Sequence, residues 1–114
     1  MIKIYGIANC DTVKKSRGWF NHYKLDYEFF DYRVENIDKA HLISWSKQIG
    51  WESLINKRSK TWRLLADSDK SNIDEKSAAH LMLQHPTLIK RPVIEYRDLL
   101  IVGFDESRYE QIFR

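Results

Sequence analysis

The chain opens with a short apolar run, residues 2–5, that ends at Gly6, and the spacing of its hydrophobic positions then changes. Val13, Arg17, Phe20 and Lys24 fall at helical intervals with Ser16 and Tyr23 on the same side, and Trp19 widens the apolar face. Residues 27–32 are dense in aromatics without that period, which predicts a second strand. Strand, helix and strand form a βαβ unit, whose crossover should be right-handed and its strands parallel.

The next helix is well delimited. Asp38 is its expected cap, Ile37 and Leu42 occupy the hydrophobic-staple positions, Leu42, Trp45 and Ile49 form the buried stripe, and Gly50 stands at the stop. Residues 51–55 read as an apolar connection, and Trp62 and Leu65 support one or two helical turns. Residues 67–71 read as a polar loop. Asn72 with Glu75 fits a capping box for a helix that runs to about Gln84, ends at Pro86 and turns Ala78, Leu81 and Met82 inward. Residues 93–96 and 99–102 are two short apolar runs separated by Arg97 and Asp98, hence an antiparallel hairpin. Gly103 breaks the second run, Asp105 caps a last helix, and Tyr109, Ile112 and Phe113 lay that helix on the core.

The order strand, helix, strand, helical block, strand, strand, helix is that of an α/β chain with a thioredoxin-type, four-stranded mixed sheet. The expected organisation is one domain over residues 1–114 with a helical insertion at about 37–84. Composition agrees: in 114 residues, 43% hydrophobic and 31% charged with four Gly and two Pro, nothing suggests a collagenous, low-complexity or disordered chain. No apolar run nears the roughly 18 residues that span a bilayer, and the start of the chain lacks the pattern of a secretory signal, which points to the cytoplasm and away from a membrane. A net charge of +3 implies mild attraction to anions.

Chemistry narrows the picture to one residue. Cys10, the single cysteine, follows a strand and a loop at the head of a helix, where free backbone N–H groups favour negative charge. A free thiol of pKa about 8.5 is only a few per cent ionised at pH 7. Lowering it by two units takes roughly 2.7 kcal/mol of preference for the anion, of which a helix start supplies at most about 2, so a cation or hydrogen bonds must add the rest. Lys14, four residues on, is the first candidate cation. The alternative is an inert thiol that packs as a small hydrophobe, and the residues alone leave both readings open. Other motifs carry less. His22, His41, His80 and His85 are scattered with no second cysteine, so no metal site is expected. Trp45, Trp51 and Trp62 fall on core stripes or in the apolar connection, so direct nucleic-acid binding is not expected either.

Three stretches carry a resemblance: Tyr5-Gly6-Ile7-Ala8-Asn9-Cys10-Asp11-Thr12-Val13-Lys14-Lys15, Ile55-Asn56-Lys57-Arg58-Ser59-Lys60-Thr61-Trp62, and His85-Pro86-Thr87-Leu88-Ile89-Lys90-Arg91-Pro92. Together they resemble the arsenate reductase (ArsC) family, nearest its YffB branch, with the transcription regulator Spx as a cousin. The resemblance implies a thioredoxin-like fold, Cys10 as redox nucleophile, Arg58 and Arg91 as holders of an anionic substrate or glutathione with Lys14 and Asn9 beside them, and Pro92 as a cis-proline. It further implies a glutathione-dependent thiol reductase, a monomer with no bound cofactor, glutathione as cosubstrate and glutaredoxin as a further partner. The alternative it implies is a non-enzymatic regulator that docks on the RNA polymerase α subunit as Spx does.

Three departures bear on the chemistry. Residues 6–8 are Gly-Ile-Ala where characterised arsenate reductases have a loop histidine, residues 102–104 are Val-Gly-Phe where they have a third arginine, and Val13 stands where Spx carries the second cysteine of its switch. These point away from arsenate as the substrate, and a lone thiol needs an external one to resolve its adducts.

Overall fold

The computed structural model describes residues 1–35 and 37–114. Their contacts divide them into two units, Met1–Glu35 with Arg91–Arg114, and Asn36–Lys90.

The first unit is a sheet in the order β2-β1-β3-β4, built from β1 (Ile2–Gly6), β2 (Tyr27–Asp31), β3 (Val93–Tyr96) and β4 (Leu99–Val102). β1 runs parallel to β2 and antiparallel to β3, and β3 and β4 form the hairpin. The mixed thioredoxin-like sheet expected from the order of elements is therefore present. One face carries α1 (Asp11–His22) and α7 (Glu106–Phe113) over a core of Ile2, Ile4, Trp19, Phe20, Ile94, Ile101 and Tyr109. Aromatic edges fill it: Trp19 meets Tyr109 at 5.3 Å between ring centroids and Phe20 meets Phe113 at 4.9 Å. The buried Ser16 hydroxyl lies 2.9 Å from that of Tyr109, which donates in turn to the Gly103 carbonyl at 2.7 Å, so α1, α7 and the residue after β4 share one satisfied polar chain.

Two local features shape α1. Gly6 permits its close approach to β1, because a Cβ there would come within 2.8 Å of a Val13 methyl. The helix also stops earlier than its periodicity predicts: Lys24 adopts a left-handed φ of 56°, and the Lys24 and Leu25 N–H groups turn back onto the carbonyls of Asn21 and Phe20. This is a Schellman ending with lysine where glycine is usual.

The second unit is helical: α2 (Lys39–Ile49), α3 (Trp51–Leu54), α4 (Lys60–Leu64), α5 (Asp67–Lys70), α6 (Glu75–Gln84) and a 3-10 turn at Pro86–Leu88. Asp38 caps α2 by accepting the His41 N–H, and Gly50 ends it with φ 83°, as expected. Leu42, Trp45, Ala78, Leu81 and Met82 are buried where α2 packs on α6, whereas Ile49 stays half-buried.

Three expectations are corrected in this unit. The connection at 51–55 contains α3. The polar loop at 67–71 contains α5, whose one turn is closed by the Ser71 N–H and hydroxyl on the Asp67 carbonyl. The capping box of α6 is Asp74 with Ser77, each side chain accepting the other's backbone N–H at 2.9 Å, while Asn72 lies outside the helix at φ 53°.

Candidate active site

Cys10 is the N-cap of α1, in extended conformation (φ −79°, ψ 129°), with its N–H on the Ile7 carbonyl and its own carbonyl accepting from Lys14. As a neutral thiol it makes no capping hydrogen bond, so the donors at the helix start are left for its anion. Burial pushes the half-buried thiol up. The Val13 N–H, the Arg91 side chain, the Thr12 N–H and the Arg91 charge together outweigh burial and bring Cys10 below the ordinary cysteine value.

Two segments far apart in sequence build this environment. β1 leads into the loop at 7–9, and a cis Arg91–Pro92 bond immediately precedes β3, with Pro92 accepting the Gly103 N–H. Arg91 and Cys10 are thereby brought together by the pairing of β1 with β3. The cation that acts on the sulfur is Arg91; Lys14 and Asn9 both lie exposed, Lys14 one turn along α1 and Asn9 in the loop. Arg58 belongs to the second unit, exposed in the turn before α4, where its N–H is held by the Asn56 carboxamide at 3.0 Å and Ser59 caps the helix through the Trp62 N–H.

Asp31, which sequence reasoning overlooked, fixes the loop. One carboxylate oxygen accepts the Ala8 N–H at 3.0 Å and the other the Arg33 N–H at 2.8 Å, with the Arg33 Nε 3.6 Å away. Burial pushes this carboxyl up, but those N–H groups and the Arg33 guanidinium hold it below the usual carboxylate range. The available signal was its position: a carboxylate at the C-terminal end of a parallel strand, beside the strand that feeds the cysteine loop. Tyr5 is tied on the other side of β1, stacked on Phe30 at 4.8 Å and donating to Glu95 at 2.9 Å.

Among the described residues no group of three His, Cys, Asp or Glu side chains is placed to hold a metal ion, and no helix is long and apolar enough to cross a membrane. The arrangement is that of a thiol brought below the ordinary cysteine value with an arginine beside it, chemistry suited to nucleophilic attack on sulfur or to pairing with an anion.

Comparison with known proteins agrees with the fold. A model of the ArsC family matches residues 5–112. An uncharacterized protein of Haemophilus influenzae is 42% identical over 113 residues, covering 99% of both chains. A solved structure named YFFB protein is 40% identical with a TM-score of 0.95 and 97% of each chain covered. The global transcriptional regulator Spx of Streptococcus agalactiae is 27% identical over 110 residues, 94% of this chain and 79% of its own. With a mixed sheet of the expected order, a cysteine at the head of α1 and a family match over nearly its whole length, this chain belongs to the ArsC family and has its thioredoxin-like fold.

Proposed function

We propose that the protein is a glutathione-dependent thiol reductase in which Cys10 is the nucleophile. The observation that carries this reading is the Cys10 thiol itself, lowered by the N–H groups of Val13 and Thr12 and by Arg91. The Cys10 thiolate attacks one sulfur of a disulfide, forming a mixed disulfide and expelling the other sulfur as a thiolate. A glutathione thiolate then attacks the substrate sulfur of that adduct or Cys10 itself, and a second glutathione completes the exchange. The balance is one disulfide and two glutathiones giving two thiols and oxidised glutathione, with Cys10 returned as thiolate. A single cysteine requires this external resolution. Arg91 pairs with the anion at each stage, and the glutathione-rich cytoplasm is the fitting compartment. A part for Arg58 in holding the substrate's anionic groups rests on the family motif alone.

Likeness to Spx over 94% of the chain supports a second reading, a regulator that docks on RNA polymerase without turnover. The two separate in one assay. With a small symmetric disulfide and glutathione, Cys10→Ser is expected to fall about a thousandfold, to background; turnover unchanged in that variant removes the enzyme reading. Recovery of polymerase α subunit by both wild type and Cys10→Ser, with no turnover by either, favours the regulator.

A further inference from the structure

Tyr32 follows β2 directly, and its N–H continues the parallel ladder onto the Gly6 carbonyl at 2.8 Å. The registers Gly6↔Asp31 and Tyr5↔Val93, carried one residue past β2 and two before β3, set Tyr32 and Arg91 on either side of Ile7. Ile7 in turn accepts the Cys10 N–H. Tyr32 thus stands across one residue of the cysteine loop from the arginine that acts on the thiol.

The side chain is 3% exposed, and among the described residues its hydroxyl has no hydrogen-bond partner. Buried hydroxyls are rarely left so. The Arg91 charge acts on this hydroxyl, but a guanidinium only donates and offers nothing to accept the phenolic proton. An oxygen anion within reach of both groups would give Tyr32 the acceptor it lacks and gain a second donor.

We propose that the Tyr32 hydroxyl is a binding donor for an oxygen anion held by Arg91 beside Cys10. This rests on the Cys10–Arg91 site described above. Two ligands share that chemistry, a carboxylate of a glutathione-like thiol and a free tetrahedral oxyanion, and separate probes distinguish them.

The test is protection of Cys10 from iodoacetamide by sulfate and, separately, by S-methylglutathione, which keeps the carboxylates and has no thiol to consume the reagent. In Tyr32→Phe the half-protecting concentration of at least one probe is expected to rise about tenfold, the loss of one hydrogen bond to a charged group. The probe affected identifies the ligand. The urea midpoint should stay the same or rise, because the atom removed had no partner. Equal protection of wild type and variant by both probes overturns the proposal. So does absence of protection in the wild type, or a drop in urea midpoint, which would show that the hydroxyl is bonded in the free protein. An ordinary Cys10 titration in the wild type, with a midpoint of about 8.5, overturns the underlying thiolate reading as well, and so separates the two failures.

Discussion

Helices α1 and α7 lie on the same face of one sheet and share the aromatic core between them, yet they begin in opposite ways. α7 starts at Asp105, whose carboxylate accepts the Arg108 N–H at 3.2 Å. α2 and α6 likewise start at aspartates, Asp38 and Asp74. Only α1, among the described helices of eight residues or more, starts at a side chain that makes no capping hydrogen bond as a neutral thiol. A cap of Ser, Asp or Asn contributes about 1 kcal/mol to a helix, so Cys10 forgoes stability that the chain obtains at its other long helices. On the reading proposed above, what is gained is a set of donors kept free for a thiolate.

The sharpest way to break the contrast is to make α1 begin like α7. Cys10→Asp is expected to abolish thiol-dependent turnover and to raise stability by about 1 kcal/mol, read as a higher urea midpoint, whereas Asp105→Ala should cost about 1 kcal/mol and leave turnover intact. If Cys10→Asp is destabilising, the donors at α1 are not free in the way described.

A smaller effect concerns the loop that presents Cys10. The Asp31 carboxyl is held low in the folded protein, so its contribution is present above the unfolded value of about 3.9 and is lost as pH falls through the folded value. Asp31→Asn should lower Tm at pH 7 by about 3 °C. The gap should close in acid as the wild-type carboxyl is protonated. A gap that persists in strong acid would assign the effect to side-chain shape rather than to charge.

The other end of α1 gives the smallest effect. Lys24 sits at φ 56° in a Schellman ending, a conformation that glycine adopts without strain. Lys24→Gly is expected to stabilise by about 0.5 kcal/mol in urea unfolding and to leave Cys10 reactivity unchanged, separating the two termini of the helix.

The same contrast explains what could be read from the sequence. The strands, α1, α2, the hairpin and the start of α7 rest on short-range patterns: period, cap residues and the two-residue turn. The end of α1 was hidden because lysine, not glycine, takes the left-handed position. α5 carries no apolar period at all, being closed by Asp67 and Ser71. At α6 two cap pairs compete within three residues, and Asp74 with Ser77 won by reciprocal hydrogen bonding that the spacing of Asn72 and Glu75 imitates.

The site divides along the same line. Cys10 at a helix start is local and legible, and the i+4 rule drew attention to Lys14. Arg91 is 81 positions away, so no local spacing connects it to Cys10; only the family motif pointed to it, and strand pairing brought it there. Asp31 ends an aromatic strand and Tyr32 follows it, and nothing in their own spacing marks one as the anchor of the cysteine loop and the other as a buried hydroxyl without a partner among the described residues.

The central claim, that α1 keeps its first donors for a thiolate paired with Arg91, is tested most directly by the pH dependence of Cys10 alkylation in the wild type and in Arg91→Met. The expected result is a wild-type midpoint below the free-cysteine value of about 8.5, with the variant's midpoint shifted upward and its alkylation at pH 7 slowed about tenfold. A wild-type midpoint at about 8.5 that does not move in Arg91→Met would contradict it.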